Sequence, residues 1–148
     1  MGELTTSLMY TKFDTNQLMY NIISDAGISI TGKIYIDENR PVNSTLEDIV
    51  INTIDVTNAT PQRATSNVLI FVPDIMAKVN KTSVKIANTQ RLESLSRQIL
   101  SLIENATTPS GISLLPSPPN IIAEDTMSQH YAGIRISWVI APQIPINQ

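Results

Sequence analysis

The sequence contains no cysteine and is poor in charged residues. The absence of cysteine among 148 residues excludes disulfides, thiolate zinc sites and cysteine nucleophiles. Charged residues make up 16 % of the chain, well below the roughly 25 % of an average globular domain. The polar surface must therefore consist largely of Asn, Thr, Ser and Gln, and contacts between identical copies would cover part of it. We take this as a first indication of self-assembly.

Several features that would assign a function class are also missing. The formal net charge is −3 and there is no basic block, so the electrostatic signature of a nucleic-acid-binding protein is absent. No apolar run approaches the ~20 residues of a membrane span, and residues 1–12 do not resemble a signal peptide. The five glycines are scattered and form no phosphate-binding loop. We therefore expect no membrane partner and no cofactor.

The hydrophobic periodicity predicts two helices. The first is expected to begin with Asp14 as its N-cap and to end at Gly27. The second is expected from about Thr89 to Asn105, where leucine and isoleucine recur at the three- and four-residue spacing of an amphipathic helix. We expect a single domain, with extended arms at residues 1–13 and 141–148.

Alternation of polar and apolar residues predicts the strands. Residues 28–37 alternate with a period of two, as in a strand covered on one side. Residues 47–58 and 67–72 are rich in β-branched side chains and should pair with each other. Residues 112–125 are typical of an edge strand broken by prolines, and residues 131–140 form the final strand.

This order of elements predicts an α+β fold. It consists of a single, mostly antiparallel sheet of four to five strands packed against two helices. Residues 74–87 have no clear pattern and are assigned to no element. They hold the only cluster of positive charge, which comprises Lys78, Lys81 and Lys85.

Asp74 follows the apolar run Val68–Val72 and Pro73, which raises the question of a catalytic aspartate at a strand end. A catalytic aspartate would need partners, whereas Pro–Asp commonly begins a turn. We therefore predict a central strand, buried on both faces, that simply ends at Pro73.

The remaining candidates for chemistry form an incomplete set. The single histidine, His130, follows the acidic pair Glu124 and Asp125, but one histidine and two adjacent carboxylates do not complete a metal or acid–base site. A small enzyme using these three residues is one alternative. A module that binds extended peptides at the edge strand near Ile112–Leu115 is another.

The element order and several stretches resemble the tail terminator (tail completion) proteins of long-tailed bacteriophages. The resemblance covers most of residues 14–140. It is carried by the helices NQLMYNIISDAG and RLESLSRQILSLIE and by the strands GKIYID, EDIVINTIDV, SNVLIFVPDI and YAGIRISWVI. It implies a structural virion protein without enzymatic activity, made in the bacterial cytoplasm, that caps the tail tube as a hexameric ring and joins it to the head connector.

The resemblance also implies the partners. They are further copies of the chain, the tail tube protein and the head–tail connector protein. DNA would pass through the pore without specific binding, which an acidic balance suits. Other neck, connector or tail-tube-associated proteins are close alternatives.

Four residues are predicted interface positions, and no catalytic, cofactor-binding or metal-binding residue is predicted. Gln62 and Arg63 lie in the connection between the second and third predicted strands, with Arg63 at its projecting tip. Arg40 lies in the loop after the first strand. Arg135 lies on the less apolar face of the last strand. It either pairs with an acidic residue of a neighbouring chain or strand, or is solvated or paired internally.

Overall fold

The computed structural model describes residues 9–124 and 128–142. Within these residues two α-helices and eight strands follow one another, with a short 3-10 turn after the first strand. The elements in chain order are α1 (Lys12–Ser24), β1 (Ile34–Ile36), the 3-10 turn (Asp37–Asn39), β2 (Asp48–Val56), β3 (Gln62–Pro73), β4 (Ile75–Val79), β5 (Thr82–Ile86), α2 (Thr89–Glu104), β6 (Ile112–Pro116), β7 (Asn120–Glu124) and β8 (Gln129–Ile140).

The predicted α+β class, with two helices and a mostly antiparallel sheet, is confirmed. The strand order of the main sheet is β1–β2–β3–β8–β6, and β7 also pairs with β8. All of these pairs are antiparallel except β1 with β2. The predicted number of four to five strands is wrong, because the described residues form six strands in the main sheet and a second, two-stranded sheet of β4 and β5.

Two differences explain the higher count. The predicted proline-broken edge strand is two strands, because β6 and β7 pair with successive parts of β8 and are separated by residues 117–119. Pro118 and Pro119 lie in that break, where the missing N–H group of proline costs no ladder hydrogen bond. The unassigned stretch 74–87 contains the β4–β5 hairpin.

The first predicted strand, 28–37, forms only at Ile34–Ile36. The preceding residues approach β2 too closely for a side chain at Gly32, where a Cβ atom would lie 1.9 Å from Asp48 Oδ1. Gly32 N instead donates to Glu47 O at 2.8 Å. Ile28 and Ile30 still pack against the core, so their alternation correctly indicated burial but not strand pairing.

Both helices pack on one face of the main sheet. The fully buried side chains of Leu92, Leu95 and Ile99 on α2 meet Val68 and Ile134 of the sheet in one core cluster. Burying a side chain of this size stabilises the fold by about 1.5–3 kcal/mol. The helices therefore fix which face of each strand is internal and which is left outward.

The observed start of α1 differs from the predicted one, whereas the observed start of α2 agrees with the prediction. Thr11 is the N-cap of α1, and Asp14, the predicted cap, lies three residues further on and accepts a hydrogen bond from Thr11 N at 2.8 Å. The helix thus begins inside the predicted arm 1–13. α2 begins at the predicted Thr89, and Asn88 caps it by accepting from Arg91 N at 3.2 Å.

Candidate interaction surfaces

Asp74 lies between β3 and β4 and contacts the only histidine of the chain. Its Oδ1 is 2.6 Å from His130 Nδ1, and its backbone N donates to Ser128 O at 3.0 Å. The Asp74 side chain is 8 % exposed and that of His130 is 25 % exposed. β3 ends at Pro73 as predicted, but the aspartate links the hairpin base to β8 rather than only closing a turn.

An Asp–His pair is part of a hydrolytic triad. The triad also needs a nucleophilic hydroxyl group that is hydrogen-bonded to the second nitrogen of the imidazole ring. No hydroxyl group in residues 9–124 or 128–142 forms a hydrogen bond with His130. The same residues contain no group of three His, Asp or Glu side chains that could hold a metal ion. The alternative enzyme site would also use Glu124 and Asp125. Asp125 and the side chain of Glu124 lie outside the described residues.

Arg40, a predicted interface residue, is engaged within the chain. Its Nε donates to Asp48 Oδ2 at 2.8 Å, and its Nη2 donates to Gln129 Oε1 at 3.0 Å. The guanidinium carbon also lies 3.9 Å from the centroid of the Phe71 ring, a cation–π geometry. With its side chain only 12 % exposed, Arg40 ties the loop before β2 to β3 and β8 and presents little surface to a partner.

Gln62, a second predicted interface residue, is also internal. It is 7 % exposed and is the first residue of β3. Its amide donates to Tyr10 O and Thr57 O, both at 3.0 Å, and its Oε1 accepts from Tyr10 N at 2.9 Å. The residue therefore fixes the segment before α1 against the sheet.

Arg63 and Arg135 lie on the outward face of the sheet, opposite the helices. Arg63 pairs with Val139, and Arg135 pairs with Asn67. Both side chains are exposed, and neither forms an ion pair with any described residue. Arg63 belongs to β3 beside the turn, so its predicted position at the tip is wrong. Their role at an interface stays a prediction.

The outward face also carries exposed apolar side chains. On the edge strands, Leu115 is 72 % exposed and Ile122 is 45 % exposed. Their partners Ser137 and Tyr131 on β8 lie on the same face. Polar and apolar groups thus mix on a surface with little charge.

The β4–β5 hairpin stands apart from the main sheet. No residue from 75 to 86 belongs to the core cluster of the described residues, and β4 pairs with β5 alone. Its turn residues Asn80 and Lys81 have φ values of 52° and 67°, as in a type I′ turn. An isolated two-stranded hairpin is marginally stable in water, so this element would gain from a partner surface.

A groove runs between α2 and the proline-rich edge of the sheet. Its volume is about 420 Å³, and α2, the end of β6 and the start of β7 line it. Ser96 lines the groove from α2 and is 2 % exposed, yet its Oγ has no hydrogen-bond partner among the described residues. A buried hydroxyl without a partner is uncommon in folded proteins.

Glu47 and Arg91 connect the loop before β2 to the start of α2. Arg91 Nε and Nη2 donate to the two carboxylate oxygens of Glu47 at 2.7 and 3.0 Å, and Nη2 also donates to Ser29 O at 2.7 Å. The hydrogen bonds from Arg91 are the main cause that lowers the pKa of Glu47, and the same bonds raise the pKa of Arg91. Each group supplies the hydrogen-bond partner and the opposite charge that the other needs, so we assign the pair a structural role.

No protein-family model matches the chain, and no curated protein matches it significantly. Within the described residues, no helix is both long and apolar enough to cross a membrane.

Proposed function

We propose that this chain is a structural subunit of a long-tailed bacteriophage, in which copies form a tail terminator ring. The ring caps the tail tube and joins it to the head connector. Its partners are identical copies, in a hexamer, together with the tail tube protein and the head–tail connector protein. The resemblance across residues 14–140 motivates the phage setting, and the surfaces of the folded chain support the self-assembly.

The observation that carries the proposal is the asymmetry of the main sheet. Both helices cover one face. The other face leaves Arg63 and Arg135 without an ion pair in the described residues and exposes Leu115 and Ile122. A charge-poor surface with exposed apolar side chains and unpaired arginines suits protein–protein contact.

Two further properties support a ring around DNA. The candidate surfaces lie on different parts of one chain, and a contact between two different surfaces closes into a ring when its rotation permits. The net charge of −3 also suits a pore through which DNA passes without binding.

The proposal assigns no enzymatic reaction. The Asp74–His130 pair is satisfied internally and sits where the hairpin leaves the sheet, which fits a structural contact. His130→Asn, whose side-chain amide can still donate a hydrogen bond to Asp74, should therefore leave virion assembly intact wherever the folded protein accumulates normally.

Electron microscopy of lysates tests the proposal in the phage that encodes the chain. Inactivating the gene should give tail tubes of excessive and variable length without heads, because nothing stops tube growth. Tails of normal length that lack heads would instead favour the neck or connector alternative. Normal virions, or neighbouring genes that encode no portal, sheath or tube protein, would contradict the phage assignment altogether.

A matched pair of variants tests the interface. Arg63→Glu should reduce complementation of the inactivated gene, since Arg63 lies on the outward face. Lys12→Glu changes the same charge on an exposed lysine of α1 and should complement normally. Equal complementation by both variants would show that Arg63 is not at an interface.

A further inference from the structure

The β4–β5 hairpin has two chemically different faces. The cross-strand pairs Ile75–Ile86 and Ala77–Val84 share one face with Val79. On this apolar face Ile75, Val79 and Ile86 are 43 %, 52 % and 41 % exposed. An apolar face on an element outside the core indicates a surface that another protein covers.

The hairpin and the rest of the chain carry net charges of opposite sign. Residues 75–86 contain Lys78, Lys81 and Lys85 and no acidic residue, so they carry +3. Because the whole chain carries −3, the rest of it carries −6. None of the three lysines forms an ion pair with any residue of the described ranges. The body of a second copy is therefore electrostatically complementary to this hairpin.

The groove between α2 and the β6–β7 edge has the matching features. Leu100 and Ile121 contribute apolar surface to it, and Glu93, Arg97 and Glu104 line it with a net charge of −1. Glu104 forms no ion pair within the part of the chain that the structure describes, while Glu93 pairs with Arg97.

We propose that the β4–β5 hairpin of one copy docks in the α2/β6–β7 groove of a second copy. Its apolar face would cover Leu100 and Ile121, and Lys81 at its turn would lie near Glu104. Lys78 and Lys85 alternate onto the opposite face and would contribute through the net charge of the hairpin. This contact rests on the proposed self-assembly and adds a second pair of surfaces to the outward face of the sheet. Because hairpin and groove are different surfaces of the same chain, the contact is head-to-tail and can repeat around a ring.

Cross-linking tests the contact directly, because the chain has no cysteine of its own. One population carries Val79→Cys at the hairpin, and a second, affinity-tagged population carries Ile121→Cys in the groove. Both positions are about half exposed, at 52 % and 49 %, so each variant should fold, which circular dichroism verifies. After mixing, a short bismaleimide should join tagged to untagged chains.

A control pair sets the background. Val42 is 92 % exposed in the loop before β2, so Val42→Cys replaces Ile121→Cys. We expect the 79–121 pair to give at least about tenfold more mixed dimer than the 79–42 pair, because docking raises the effective concentration of one thiol near the other.

Charge reversal provides a second, independent readout. Reversing Lys78, Lys81 and Lys85 to Glu should weaken self-association at least about tenfold in sedimentation experiments. Glu93→Lys with Glu104→Lys should weaken it similarly, and combining both sets in one chain should restore much of it. Reversing the exposed body lysines Lys12 and Lys33 is the control and should change association less than about twofold.

The outcomes separate the docking contact from the proposed function. If the unmodified chain assembles but the 79–121 cross-link stays at background and the charge reversals change nothing, the docking contact is wrong and the ring stands. If the unmodified chain does not assemble, both are wrong.

Discussion

The Asp74 carboxylate and the His130 imidazole meet at 2.6 Å, where the β4–β5 hairpin leaves the main sheet. The pair joins two residues 56 positions apart in the chain. It thereby fixes the base of an element that makes no strand pairing with the rest of the described residues. Together with the hydrogen bond from Asp74 N to Ser128 O, the contact holds the base of the hairpin in place.

Asp74→Ala should loosen the hairpin more than the body. Losing a largely buried hydrogen-bond partner should lower the free energy of unfolding by about 1–2 kcal/mol, and amide exchange should accelerate in residues 75–86. Glu93→Ala, which removes an exposed pair with Arg97, should stay within about 0.5 kcal/mol. Unchanged exchange in the hairpin of Asp74→Ala would show that the pair does not hold it.

Asp48→Ala should be the more damaging carboxylate substitution. Asp48 is 1 % exposed and accepts hydrogen bonds from Arg40, from the Ser44 hydroxyl at 2.5 Å and from Lys33 N at 3.0 Å. Removing it leaves a largely buried guanidinium without its anion, which should cost about 3–5 kcal/mol in urea denaturation. On the same strand, Asp55→Ala removes an exposed carboxylate and should cost less than about 0.5 kcal/mol. Similar losses for both would contradict the network.

Gly32→Ala should destabilise the fold through a steric clash. The added methyl group would lie 1.9 Å from Asp48 Oδ1 and 2.4 Å from the backbone oxygen of Glu47. Either the backbone or the Asp48 network must move, at a cost of about 1–3 kcal/mol by thermal denaturation. Gly133→Ala is the control, because its methyl group would meet only Leu69 Cδ2 at an ordinary 3.5 Å. A wild-type melting temperature for Gly32→Ala would refute the close approach.

The Glu47–Arg91 pair should make stability depend on pH. The folded pKa of Glu47 lies below its unfolded value, mainly through the hydrogen bonds from Arg91. Its contribution is therefore fully present above the unfolded pKa and is lost as the pH falls through the folded pKa. Arg91→Gln should cost about 1–2 kcal/mol at pH 7, and this difference from wild type should shrink below about pH 4.

Urea denaturation of both proteins at pH 7, 5 and 3 measures this difference. Arg97→Gln is the matched control, since its exposed pair with Glu93 should contribute little at any of these pH values. A cost for Arg91→Gln that stays constant with pH would contradict the assigned linkage.

Ser96→Ala separates the stability of a single chain from its assembly. The Ser96 hydroxyl is buried without a partner among the described residues, so its removal should stabilise the isolated chain by about 0.5–1 kcal/mol. Because the Ser96 residue is 2 % exposed, its hydroxyl is not accessible to a docked partner, and the same variant should leave association unchanged. A less stable chain would contradict the unsatisfied hydroxyl, and weaker association would contradict its inaccessibility.

The strongly periodic elements could be predicted from the sequence. The three- and four-residue spacing along α2 located it within one residue of its C-terminal end, and the apolar runs located β2, β3 and β8. The sequence analysis does not predict the β4–β5 hairpin, although Ile75, Ala77 and Val79 recur with a period of two. Its turn uses Asn80 and Lys81 at positive φ and lacks the glycine that usually marks a type I′ turn.

The side-chain network could not be predicted because its partners are distant in the chain. Arg40 reaches Gln129, 89 residues away, and no local pattern joins the two. Strand alternation correctly places Arg135 on the face opposite the apolar residues, whereas Arg63, predicted at a loop tip, lies in β3. Local periodicity therefore indicates which face a residue occupies, whereas its partner depends on the tertiary fold.

The mass of the purified chain by native mass spectrometry tests the central claim, self-assembly, most directly. We predict one closed oligomer, with six copies of the 16.3 kDa chain as the expected size. A strict monomer at every concentration would contradict the account.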